Sequence, residues 1–172
     1  MIELKTITPP VGDYGELGEL GELANWRNDE RVRPALRTGK LTFSSQQVEW
    51  ANKVYYDNTC SYYFIYYNKI LVGYCGLDKI SFENKTAEIS LLINPDEHRQ
   101  GHGMEAVILL LDIAFDKLKL KLIYAEVNDT TSAIEFWLAQ GFMVEAFLKD
   151  RKFWKGKFYN STILNIEKED RP

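Results

Sequence analysis

The run Ile93-Asn-Pro-Asp-Glu-His-Arg-Gln-Gly-His-Gly-Met104 constrains this chain most, because it joins an apolar, strand-like segment to an amphipathic, helix-like one through two closely spaced glycines. Without Cβ atoms, Gly101 and Gly103 allow a tight turn and let successive backbone N–H groups approach a ligand. At a helix N-terminus those donors are unpaired and carry the positive end of the macrodipole, so the segment reads as an anion cradle that suits a pyrophosphate. Two familiar phosphate loops are excluded. A dinucleotide fingerprint needs a third glycine where Ala106 stands, and a Walker loop needs Gly-Lys-Ser/Thr.

The pattern around the loop is mixed α and β. Residues 2–8 alternate weakly as an edge strand, stopped by Pro9-Pro10, and a helix is predicted over 19–28 with Leu20, Leu23 and Ala24 inward. Ser44-Ser45 caps a second helix over 45–56, where Val48, Ala51 and Tyr55 recur at helical spacing. β-Branched and aromatic residues fill 61–67 and 70–80, and Asn68-Lys69 between them suits a two-residue hairpin turn. A further strand covers 86–93. The helix after the loop spans 103–118 with Met104, Val107, Ile108, Leu111, Phe115 and Leu118 on one stripe, widened by Leu110, Ile113 and Ala114. A buried strand over 122–127 follows, so this helix connects two parallel strands. A helix over 131–140 ends at Gly141, and strands 142–148 and 158–167 close the chain as a hairpin.

The chain of 172 residues fits one domain, and 45% apolar residues supply a core. No apolar run approaches the ~20 residues of a membrane span, and the N-terminus lacks a targeting pattern, so a soluble cytoplasmic protein is expected, without membrane partners. A net charge of −4 argues against nucleic acid as a partner. The basic, aromatic stretch 149–157 reads as a solvated hairpin. Cys60 and Cys75 have apolar neighbours and no metal spacing, and His98 and His102 straddle the glycine loop without further ligands, so no metal site is expected.

The loop His98-Arg-Gln-Gly-His-Gly103 resembles the acyl-CoA pyrophosphate loop of the GNAT acetyltransferase superfamily, Gln/Arg-x-x-Gly-x-Gly/Ala, with His98 departing from its first position. The element order matches that superfamily over nearly the whole chain. The resemblance implies an α+β fold: a mostly antiparallel sheet with helices on both faces and one parallel pair splayed at the acyl-CoA slot. It also implies acetyl-CoA as acyl donor, held by the backbone of Leu91, Leu92 and Ile93 and by Arg99, Gln100, Gly101, His102, Gly103 and Met104. Aligning Ala133-Ile134 and Gly141-Phe142 with the family's Asn-x-x-Ala-Ile-x-x-Tyr and Gly-Phe puts Thr130 at the CoA-contacting Asn, with Asn128 close by, and Trp137 at the Tyr that protonates the thiolate. An indole N–H cannot protonate a thiolate, which leaves water, a nearby Tyr such as Tyr124, or unassisted departure of the weakly basic thiolate.

The run Trp26-Arg-Asn-Asp-Glu-Arg31 resembles the branches that acetylate ribosomal-protein N-termini and amino-sugar nucleotides, and implies acceptor contacts from Trp26, Arg27, Arg31 and Arg33. Acceptors ranked on this basis are a protein N-terminus or amino-sugar nucleotide first, with polyamines and aminoglycosides behind. Because alkylamines are protonated at neutral pH, a carboxylate base is useful, and Glu88 and Glu126 are the candidates, each with an ion-pair role as the competing explanation. The rival of another class is a non-catalytic acyl-CoA-binding module. Oligomeric state is left open, a homodimer among the options.

Overall fold

A computed structural model describes residues 1–10, 18–129 and 133–171. Among the described residues, seven strands form a single sheet in the order β1-β2-β3-β4-β5-β7-β6. They are β1 (Ile2–Thr6), β2 (Ser61–Tyr67), β3 (Ile70–Ser81), β4 (Thr86–Ile93), β5 (Leu122–Asn128), β6 (Met143–Trp154) and β7 (Lys157–Glu167). Four α-helices among the described residues accompany them: α1 (Gly18–Asn28), α2 (Ser44–Tyr56), α3 (His102–Asp112) and α4 (Ala133–Ala139). The expected α+β architecture is present, with β4 and β5 its parallel pair and the other neighbours antiparallel.

Each hairpin turn follows its local chemistry. Asn68 and Lys69 both take positive φ (49° and 70°), and so do Lys155 and Gly156 (47° and 84°), the geometry of two-residue turns that match strand twist. Helix α2 begins one residue earlier than expected and is capped differently: Phe43 precedes it, and Gln46 Oε1 accepts the Phe43 N–H at 2.9 Å. The stripe of α3 is rotated from the expected one. Ala106, Val107, Leu110, Leu111, Ala114 and Phe115 are buried, whereas Met104 and Ile108 are exposed. Past Asp112 the helix widens into one π turn over Ile113–Lys117, where Leu118 N–H reaches Ile113 O at 2.9 Å.

The sheet has a core on each face. One joins Leu77, Ala87, Ile89, Ile123, Leu164 and Ile166 to α3; the other joins Phe64, Tyr74 and Leu92 to Leu20, Leu23 and Trp26 of α1 and Val48 and Ala51 of α2. The central seam positions the site. Strands β4 and β5 pair only through Thr86↔Leu122, Ala87↔Ile123 and Glu88↔Tyr124, and both then run on past the last rung. Among the described residues β4 and β5 make no further pairing, so a fork opens beyond Glu88.

Candidate active site

The fork contains a cleft of about 410 Å³. Its walls are Glu88 to Leu91 of β4, Ala125 to Asn128 of β5, Ala133 and Trp137 of α4, and Ala35, Leu36 and Arg37 of the loop between α1 and α2. Its far side is formed by Arg27, Gln47, Trp50, Tyr62, Tyr74 and Asp78. Asn94 N–H donates to Val72 O at 2.8 Å, which makes Gly73↔Ile93 an open rung of the β3–β4 ladder. Peptide groups of Leu91 and Ile93 therefore face away from β3, toward the fork. Leu92 differs: it spends its peptide groups on Tyr74 of β3 and its side chain on the core beside α1 and α2.

The glycine loop sits at the wide end of the fork. Gly101 is the N-cap of α3 with φ +86°, a left-handed conformation that costs an L-residue about 1–2 kcal/mol. Gly103 acts differently: a Cβ there would lie 3.3 Å from Leu91 Cδ2 and 3.4 Å from Phe136 Cε2, so this glycine lets α3 pack close to β4 and α4. His102 contributes only backbone to the loop, because its ring is buried against Tyr67 at 4.5 Å between centroids. Arg99, Gln100 and Met104 are exposed, and Gln100 Nε2 donates to Glu97 Oε2 at 2.8 Å. His98, at the position that departs from the family pattern, places Nε2 3.0 Å from Ile93 O, where it donates as N–H. Gly101→Val is expected to raise the dissociation constant for coenzyme A at least tenfold, the loop relaxing away from its amide-presenting shape; calorimetric titration reads this, and an unchanged value would remove the cradle.

Both candidate carboxylates reach the same place. The Arg37 guanidinium bonds Glu88 Oε1 and lies 3.5 Å from Glu126 Oε2, while Lys79 Nζ lies 2.6 Å from Glu88 Oε2. Glu126 also accepts from Ser161 Oγ at 2.7 Å. Glu88 is the more enclosed, its side chain 10% exposed against 25% for Glu126. Burial works to lower the Arg37 pKa, yet the Glu88 and Glu126 carboxylates outweigh it and hold the group above its ordinary value. Hydrogen bonding to Glu88 likewise raises Lys79. Beside Glu88 across the parallel rung, burial first and the Glu88 charge second push the Tyr124 phenol up, so it stays protonated at neutral pH. The thiols are inert there too: burial raises Cys60 to about 11 and Cys75 higher still.

The loop that carries Arg37 is held from beneath. Lys152 of β6 is 4% exposed, and its Nζ donates to Arg33 O at 3.3 Å, Pro34 O at 2.5 Å and Leu36 O at 2.6 Å. Asn128 Nδ2 donates to Ala35 O at 3.1 Å and Leu36 O at 3.3 Å, and the Arg33 guanidinium stands 5.0 Å over the Trp154 ring. Strand β6 thus runs through the stretch expected as a solvated hairpin, and the register shift between Leu148 and Lys152, with Asp150 at φ +54°, accompanies the turn of Lys152 inward.

The expected acceptor residues divide. Arg27 lines the cleft and donates Nη1 to Tyr74 Oη at 3.1 Å. Trp26 does not: it is buried in the α1–α2 core, because its place on the helix faces the sheet. Arg31 points away as well, pairing with Asp29 at 2.7 Å and Asp96 at 2.9 Å, which ties the helix end to the glycine loop. Asn128 lines the cleft, and Thr130 lies outside the described residues. Trp137 closes one wall, its ring packed 4.9 Å from Phe142. Sequence reasoning missed Arg37, Lys152 and the aromatic floor, where Trp50 meets Tyr62 at 4.9 Å and Tyr74 at 5.9 Å. Gly76 carried a readable signal for that floor, since it faces Tyr62 in register and a Cβ there would fall 2.2 Å from the Tyr62 ring.

A splayed parallel pair, a glycine-capped helix at its mouth and two carboxylates at its base define an acyl-CoA transferase architecture. The chain belongs to the GNAT acetyltransferase domain family, which matches residues 17–163. It is 30% identical over 58% of its length to an uncharacterized N-acetyltransferase of Bacillus licheniformis, and 26% identical over 57% to spermidine N(1)-acetyltransferase of Vibrio cholerae. Those matches span 57% of each relative. Among solved structures, spermidine N-acetyltransferase from Vibrio cholerae in complex with CoA and spermine superposes with TM-score 0.85 at 21% identity, covering 98% of this chain and 96% of that one. A dodecameric structure of spermidine N-acetyltransferase from Vibrio cholerae gives 0.78 at 22% identity, covering 98% and 94%. At these identities the superpositions establish the fold.

Proposed function

We propose that this chain transfers an acetyl group from acetyl-CoA to a primary amine of a linear polyamine, by direct attack and without an acyl-enzyme. One observation carries the reading: the cleft at the fork between β4 and β5 is lined by Asp78, Glu88 and Glu126 beside Arg27 and Arg37, with Lys79 reaching Glu88 from β3, over a floor of Trp50, Tyr62 and Tyr74. Carboxylates suit ammonium groups, and ring faces suit both methylene chains and cations. The polyamine-acetylating relatives support the same choice over the protein N-terminus and the amino-sugar nucleotide that Trp26 and Arg31 suggested, since those two side chains turn away from the cleft.

The residues divide the work. Amides at the Gly101 cap hold the donor's diphosphate. Peptide groups of Leu91 and Ile93 orient the donor's arm along β4 as an added strand. Glu88 takes the proton of the attacking ammonium, directly or through water, and Glu126 holds positive charge beside it. As nitrogen bonds the acyl carbon, the carbon–sulfur bond breaks and the thiolate leaves; Tyr124, kept protonated, is the side chain positioned near the rung to return a proton. The 172 residues act as one catalytic domain, and the dodecameric neighbour supports an oligomeric state.

The test is thiol release from acetyl-CoA in the presence of spermidine, 1,4-diaminobutane, an N-terminal peptide and an amino sugar. Turnover is expected with the polyamines. Coenzyme A binding without turnover on any amine would instead establish the acyl-CoA-binding module.

A further inference from the structure

The Arg37 guanidinium lies between the two carboxylates of the fork, Glu88 and Glu126. It bridges them at the base of the fork, immediately past the last β4–β5 rung. We propose that Arg37 is a built-in occupant of the acceptor subsite, displaced by the substrate's cation when it binds. The inference rests on the polyamine reading and adds to it a residue that sets acceptor affinity.

Three features make Arg37 a displaceable cation rather than a fixed strut. Its backbone is pinned just upstream, since Lys152 and Asn128 both hold Leu36 O, so the side chain can leave while the loop stays. Its side chain is 60% exposed, whereas the carboxylate it covers is 10% exposed, so one partner has water to move into and the other does not. Lys79 stays on Glu88 when Arg37 swings out, which leaves Glu126 and Asp78 without the guanidinium and the cleft more acidic. An arriving ammonium restores the balance. A neutral molecule of the same length does not, so the exchange also selects for charge.

Displacement makes cationic acceptors compete with an internal one, and an ion pair this exposed on one side is weak enough for removal to tighten spermidine about fivefold. The experiment measures spermidine binding to coenzyme A-loaded protein by calorimetry, and steady-state kinetics with acetyl-CoA, for wild type, Arg37→Gln and Arg37→Lys. The Gln variant is expected to bind spermidine about fivefold more tightly and to lower its KM alike, with KM for acetyl-CoA unchanged, while the Lys variant stays near wild type. Turnover by wild type together with equal or weaker spermidine binding in the Gln variant overturns the displacement and leaves the acetyltransferase reading standing. No turnover and no spermidine heat in any of the three proteins overturns both. Unchanged melting temperature and acetyl-CoA affinity establish that each variant is folded.

Discussion

Glu88→Gln is expected to lower kcat for polyamine acetylation about a hundredfold, which corresponds to roughly 2.7 kcal/mol of lost barrier stabilisation and lies within the ordinary range for a positioned base. KM for acetyl-CoA is expected to stay unchanged, because Glu88 lies at the last β4–β5 rung, away from the Gly101 cap. The loss grows as pH falls below 7, where less of the acceptor is unprotonated and removal of its proton limits the rate. Glu126→Gln costs less than tenfold, since that carboxylate is more exposed and already bonded to Ser161. A larger loss at Glu126 would move the base to β5, and losses below about twofold for both variants would remove the base from the mechanism.

Lys152→Met is expected to destabilise the protein by about 3 kcal/mol, because it keeps the length of the stem but withdraws the charged donor shared by the carbonyls of Arg33, Pro34 and Leu36. For a chain of this size that lowers Tm by roughly 6–12 °C. Burial lowers the Lys152 pKa, so the charged form depends on those three acceptors, and a hydrophobic replacement cannot restore the loop's backbone bonding. Freed from β6, the loop no longer holds Ala35 and Leu36 as a wall of the cleft, while binding of coenzyme A is preserved. A Tm within about 2 °C of wild type would show that the loop is held by its other contacts, Asn128 and Trp154 among them.

How far these residues could be seen in advance depended on periodicity. The glycine loop, the Asn68-Lys69 turn and the strand before the loop announced themselves, since φ > 0 and two-fold alternation leave marks in a linear string. So did the pair Glu88 and Glu126, although alternation alone could not orient them; the structure turns both to the fork because Glu88 opposes Tyr124 in a parallel register and Glu126 lies two residues on. The loop between α1 and α2 has no period, and Arg37 in it looks like any surface arginine. Lys152 was hidden inside a run of basic residues, and only an irregular register near Asp150 turns it inward. Trp26 misled for the opposite reason: a motif-like neighbourhood suggested a ligand contact, while its place on the helix made it core.

A sheet interrupted at its centre has two raw margins where others have none. Margins of that kind ordinarily recruit stray strands from neighbouring chains, and proteins blunt them at the periphery with charge, proline or a covering element. Here the margins lie inside the molecule, roofed by Trp137 on one side and by the tethered loop on the other. The enclosure of the cleft is thereby also a guard against self-association, since Trp137 and the loop cover the unpaired margins of β4 and β5.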